Sequence, residues 1–84
     1  MNNDFEGWLR EQLASILRVP EDEMKNDVKF SNYGMDSIAA IELAGKIETV
    51  FGFPFEAELL YESDTIDRLG QTLSALRITS VLKD

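Results

Sequence analysis

The sequence predicts an all-α protein, a four-helix bundle of three longer helices and one short helix with a long loop between helices one and two. Three observations predict it. Apolar residues recur at helical spacing in three separate stretches; the punctuating residues Pro20, Gly52 and Pro54 fall between those stretches; and no run alternates convincingly in the manner of a strand. A mixed fold using residues 53–55 or 81–82 as strand is the competing reading. With 84 residues, the chain has the size of one small domain, residues 1–84, near the limit where a core offsets chain entropy.

The first helix is expected over residues 4–18. At about 100° per residue, Phe5, Trp8, Leu9, Leu13 and Ile16 share an arc, with Asn3 or Asp4 as cap and Pro20 barring continuation. Residues 20–34 read as a loop pinned by Met24, Val28, Phe30 and Tyr33. Asp36 is a good N-cap for a second helix over residues 37–51, which Gly52 and Pro54 end. A short helical turn fits within residues 55–61. Ser63 and Asp64 resemble the cap of a last helix, in which Ile66, Leu69, Leu73 and Leu76 share one face. The residues after Arg77 carry mixed signals and are expected to fray.

Composition removes whole classes of function. The chain contains neither cysteine nor histidine, so disulfides, thiolate nucleophiles, zinc sites built on those residues and serine–histidine triads are excluded. Its 16 acidic and 8 basic side chains, net charge −8, argue against nucleic acid as partner, because phosphate backbones are bound by lysine and arginine. A basic protein partner fits better. No acidic stretch has the calcium-loop spacing of an EF-hand, so no metal site is expected. There is no secretory leader or membrane-length apolar run, which points to the cytosol and to no membrane.

The second helix carries the functional signal. Stepping from Asp36, Ala39, Ala40, Leu43, Ala44, Ile47, Val50 and Phe51 gather on one arc, the expected core face. Ile38 and Ile41 fall on the other side, beside Ser37, Gly45 and Glu48, with Glu42 at the border. Burying an isoleucine stabilises a fold by about 1.5–3 kcal/mol, so exposing two forgoes stability. Incidental exposure is the bland reading; the alternative is a docking patch, apolar and rimmed by carboxylates. Ser37 has its own interest, because an anionic group attached at a helix start meets free N–H groups and the positive end of the dipole. As a bare dipeptide, Asp36-Ser37 means only that a helix begins. The other acidic residues read as a solvated face that aids solubility.

Context lifts the dipeptide. The run Phe30-Ser31-Asn32-Tyr33-Gly34-Met35-Asp36-Ser37-Ile38-Ala39-Ala40-Ile41-Glu42-Leu43, followed by Lys46-Ile47-Glu48, Phe51-Gly52, Leu60-Tyr61-Glu62 and Thr65-Ile66, strongly resembles the acyl carrier protein superfamily. The resemblance covers nearly the whole chain and centres on Gly-x-Asp-Ser-Ile. It implies that Ser37 is the attachment point of 4′-phosphopantetheine, transferred from coenzyme A by a phosphopantetheinyl transferase. Acyl groups would then ride as thioesters on the arm's own thiol, in a carrier that catalyses nothing itself. It also implies that Asp36 helps the transferase position the serine through its divalent metal, and that Ile38, Ile41, Glu42, Gly45 and Glu48 dock partners presenting arginine and lysine. Such partners include an acyltransferase or acyl ligase and a ketosynthase.

Tyr33-Gly34-Met35, Ile41-Glu42-Leu43 and Leu60-Tyr61-Glu62 look more like polyketide or fatty-acyl carriers than peptidyl or aminoacyl ones. Asp64 stands where polyketide carriers often have proline, a departure that touches helix capping alone. An acyl pocket would draw on residues such as Ile41, Leu59 and Tyr61. The starting methionine and small size suggest a free-standing monomer, although a piece of a megasynthase would look the same. The competing function is an unmodified acidic helical adaptor, in which the Ile38–Ile41 patch binds a basic partner and Ser37 merely starts a helix.

Overall fold

A computed structural model describes residues 4–83, with side chains over 6–77. Four α-helices are present: α1 (Asp4–Leu17), α2 (Ser37–Phe51), α3 (Leu59–Glu62) and α4 (Ile66–Lys83). Two 3-10 turns, Glu21–Glu23 and Phe30–Tyr33, shape the segment between α1 and α2. There is no strand among the described residues, so the mixed-fold reading falls away.

The apolar periodicity builds the core directly. α1 contributes Leu9 and Leu13, α2 contributes Ala40, Leu43 and Ile47, and α4 contributes Ile66, Leu69 and Leu73, all buried. Met24, Phe30, Phe55 and Leu60 close the ends from the connecting segments and α3. α1 packs on both α2 and α4. Trp8, in the second turn of α1, meets the Phe51 ring at the end of α2 edge-on, with centroids 5.9 Å apart, so these two helices run antiparallel. Phe5 and the Asn3 cap lie outside the described side chains.

α1 stops at Leu17, one residue short of expectation, because Arg18 turns left-handed (φ 60°). The Val19 amide donates back to the Ala14 carbonyl at 3.0 Å, the six-to-one bond of a Schellman ending. A non-glycine residue in this conformation costs about 1–2 kcal/mol, and the bond offsets part of that.

The loop is more ordered than its irregular sequence suggested. Met24 and Phe30 are buried; Val28 and Tyr33 are half-buried. The Tyr33 hydroxyl donates to the Glu23 carbonyl (3.1 Å) and accepts from the Lys25 amide (2.9 Å). Asn26 ties three elements together: its side chain donates to Glu6 at 3.2 Å and accepts from Arg10, while its carbonyl accepts from the Asp67 amide at 3.0 Å. Glu6 lies above the usual carboxylate range, mainly because burial withholds solvent from it. The adjacent, hydrogen-bonded Asp67 carboxylate adds to the rise, and Arg10 offsets part of it.

Two expectations about α4 are corrected. Its first turn is capped by Thr65, whose hydroxyl accepts from the Arg68 amide at 3.1 Å, and not by Ser63 or Asp64. The Ser63 hydroxyl is buried and shares a hydrogen bond with Thr72 at 2.6 Å, while the Asp64 carboxylate forms an exposed ion pair with Arg68 at 2.8 Å. The helix also runs past Arg77 to Lys83. No glycine or proline interrupts residues 78–83, and β-branched residues cost a helix only about 0.7 kcal/mol each at most.

Candidate functional site

The chain reaches α2 through a tight reversal. The 3-10 turn at Phe30–Tyr33 ends on Gly34, whose φ of 90° is one that L side chains rarely adopt. The Phe30 carbonyl then accepts from the Met35 amide at 3.2 Å. Asp36 follows in extended conformation, φ −121°, and its Oδ1 accepts from the Ala39 amide at 2.8 Å. This is the N-cap expected from sequence. It occupies one carboxylate oxygen and fixes the backbone on either side of Ser37.

Ser37 is the first residue of α2 and is exposed. Its hydroxyl therefore projects from a rigid, capped helix start at the surface. An anion bound there gains about 0.3–1 kcal/mol from the helix dipole. With no histidine or cysteine in the chain, nothing nearby can act as an imidazole base or a thiolate.

Behind Ser37, α2 separates into two faces much as the angular reading expected. Ala39, Ala40, Leu43, Ala44 and Ile47 are buried. Ile38 and Ile41 are 74% and 65% exposed, and Glu42, Gly45 and Glu48 are exposed with them. Val50 corrects the expectation: assigned to the core arc, it is 59% exposed. It lies at the rim of an open groove of about 660 Å3 between α1 and α2, with Trp8, Gln12, Glu42 and Lys46. Phe51, its neighbour, is half-buried.

A second groove of about 270 Å3 lies on the other flank of α2, lined by Ile41, Ala44, Gly45, Glu48, Phe55 and Ala57. Gly45 is common to both grooves, and a Cβ placed on it would meet nothing within 4 Å. Residues expected at an acyl pocket are dispersed. Ile41 lines this second groove, Tyr61 lines a hollow of about 130 Å3 with Phe30, Met35 and Leu60, and Leu59 packs partly buried against the core. Sequence reasoning missed one contact altogether: Glu48 Oε2 accepts from the Phe55 amide at 2.9 Å. No residue pattern signals this bond, which depends on how the turn after α2 closes. Among the described residues no group of three or more acidic side chains could hold a metal ion, and no helix is long and apolar enough to cross a membrane.

Fold and site together are those of a carrier domain, a small helical bundle with an exposed serine opening α2 beside exposed isoleucines and glutamates. The model of the family described as "Phosphopantetheine attachment site" matches residues 7–73, and the chain belongs to that family. It is therefore a non-catalytic carrier whose prosthetic group is covalently attached 4′-phosphopantetheine, and the exposed, capped helix start at Ser37 fits such a group.

Among curated relatives, a phenolphthiocerol/phthiocerol polyketide synthase of Mycobacterium tuberculosis is 30% identical over 74 residues, covering 88% of this chain. The chain spans only 4% of that synthase polypeptide. Acyl carrier protein TtuC of Teredinibacter turnerae is 26% identical over 86% of this chain and 83% of its own. Two solved structures share the fold. A free-standing peptidyl carrier protein from Acinetobacter baumannii has a TM-score of 0.80 at 31% identity, covering 83% of this chain and 88% of that one. The HMG-ACPI domain of the CurA module from Lyngbya majuscula has a TM-score of 0.81 at 28% identity, covering 89% and 76%.

Proposed function

We propose that residues 1–84 act as one acyl carrier domain of polyketide type, with Ser37 as the attachment point. A phosphopantetheinyl transferase supplies the arm from coenzyme A, and acyl intermediates then travel as thioesters on the arm's thiol to synthase enzymes. The observation that carries this reading is Ser37 itself, an exposed serine opening a capped α2 inside a family defined by phosphopantetheine attachment. Once bound, the group supplies a thiol to a chain that has none. The chain's own residues would hold and present it: Asp36 fixes the helix start through Ala39, and the helix start would favour the negative charge of its phosphate.

Ile38, Ile41, Glu42 and Gly45 form the surface on which the transferase, an acyltransferase or acyl ligase, and a ketosynthase dock, and Glu48 flanks it without belonging to the contact itself. The excess of negative charge steers basic partners, so association weakens as salt rises. Polyketide cargo is favoured by the synthase relatives. An aminoacyl cargo is the second reading, favoured by the peptidyl carrier among the structural neighbours.

The test is an intact mass after incubation with coenzyme A, magnesium and a broad-specificity phosphopantetheinyl transferase. One phosphopantetheinyl group is expected on the wild type and none on Ser37→Ala, which keeps its helix because Asp36 supplies the cap. No addition to the wild type, beside an authentic carrier that is modified, would favour the unmodified adaptor. Offering the holo-protein malonyl and aminoacyl loading enzymes then separates the two cargo classes.

A further inference from the structure

We infer that Glu48 contributes to docking as a positioning residue, by fastening the segment after α2, and not as a charge read by a basic partner. The inference rests on the carrier reading for its partner and on the fold alone for its latch. Glu48 holds the turn at two points. Its backbone carbonyl accepts from the Gly52 amide at 2.9 Å, closing the helix onto a left-handed glycine of φ 79°. Its carboxylate reaches past that turn to the Phe55 amide, again at 2.9 Å. The Phe55 side chain is 2% exposed and forms part of the core, so the bond joins the outer flank of α2 to a residue that cannot swing away freely.

The consequence falls on the groove between α2 and residues 52–58. Ile41, Ala44 and Gly45 line its helix side, and Phe55 and Ala57 line the other. Glu48 sits between the two sides and sets their separation. A carboxylate accepting from an amide makes a charge-assisted bond, stronger than a neutral pair, and removing it leaves a part-buried donor unsatisfied. Of the two carboxylate oxygens, Oε2 is held by this bond, which fixes how the group is oriented towards any partner. Glu42 differs, since among the described residues its carboxylate has no hydrogen bond or ion pair. Of these two glutamates, Glu42 is the one whose carboxylate is free to meet a basic partner.

Glutamine separates the two roles, because its amide oxygen still accepts from Phe55 while the charge is gone. Two measurements are made on the full chain: hydrogen exchange of the Phe55 amide, and the KM and kcat with which a phosphopantetheinyl transferase modifies each variant. Glu48→Ala is expected to speed Phe55 exchange about tenfold or more and to raise KM about three- to tenfold with kcat unchanged. Its ratio to wild type should not change between about 50 and 500 mM salt. Glu48→Gln should stay within about threefold of wild type in exchange and about twofold in KM. Equal rises in KM for both variants, with Phe55 still protected in Glu48→Gln, would overturn the inference in favour of a docking charge. Unchanged Phe55 exchange in Glu48→Ala would overturn it as well. If the wild type were not modified at all, the carrier reading would fail, while the exchange measurement would still decide whether Glu48 is a latch.

Discussion

Ile41 and Ile47 lie six residues apart on one helix, yet Ile47 is completely buried and Ile41 is 65% exposed. The same side chain thus serves two purposes on the two faces of α2. On the inner face, shape and burial are at a premium: Ala40, Leu43 and Ile47 interlock with Leu9, Leu13, Leu69 and Leu73. On the outer face the chain keeps features that do nothing for its own stability, two exposed isoleucines and a mid-helix glycine with empty space around it. A sequence selected for stability alone would fill such positions with better helix formers or polar groups. The contrast is the one that the proposed docking surface requires.

The largest effect expected is on the inner face. Leu43→Ala removes a fully buried side chain and should cost about 2–5 kcal/mol, read as a loss of midpoint in urea unfolding. For a domain this small such a loss approaches the whole of its stability. A cost below about 1 kcal/mol would mean that the inner face is not the packed one, and the comparison would collapse.

Next comes the outer face. Ile41→Asp should leave the helical circular dichroism intact and change stability by no more than about 1 kcal/mol, since it removes an exposed side chain and introduces a slightly poorer helix former. Its modification by the transferase should nevertheless slow about tenfold, as expected for an apolar docking contact replaced by a charge. Loss of helicity in this variant would show that Ile41 helps to hold the fold.

The division of α2 was legible in the sequence because the helix is regular and its ends are written in residues with a single dominant effect. Asp36 caps, Gly52 reverses the chain, and nothing between them breaks the helix. What the sequence hid is what depends on neighbours. Val50 satisfies the angular rule yet is exposed, because a 100° step assumes a partner along the whole inner face. At that level α1 and α2 instead leave a groove. The left-handed Arg18, the hydroxyl of Tyr33 bridging Glu23 and Lys25, and the Glu48 bond to Phe55 are set by how turns close on the core. No local pattern announces them. Ser37 stands between these cases: its place at the helix start was readable from Asp36, but its interest came from the family resemblance and not from the dipeptide.

A smaller effect sharpens the comparison at Gly45. A Cβ there meets nothing within 4 Å and the helix is otherwise regular, so Gly45→Ala should raise stability by about 0.5–1 kcal/mol, measured as a higher urea midpoint. The same methyl stands in both grooves and should weaken transferase binding. A variant both more stable and unimpaired in docking would show that Gly45 is tolerated on the outer face without being used there.

The smallest effect lies away from α2, at the polar knot where Glu6, Arg10, Asn26 and Asp67 join α1, the loop and α4. Here the fold keeps a carboxyl pair whose arrangement favours the protonated form of Glu6, through burial first and Asp67 second. Because the folded state binds this proton more tightly than the unfolded chain does, the stabilisation is fully present below the unfolded value of 4.5. It is lost as pH rises through the higher folded value. In its ionised form Glu6 meets the Asp67 carboxyl unfavourably, with the charge of Arg10 offsetting part of that cost. Glu6→Gln removes that charge while its amide can still accept from Asn26 and donate to Asp67. Its Tm should therefore lie slightly above that of wild type at pH 7, and the difference should shrink as the pH is lowered towards 4.5. A difference independent of pH would place its origin in packing and not in the paired carboxyls. The knot would then belong with the inner face of α2, as a place where the fold gives up nothing.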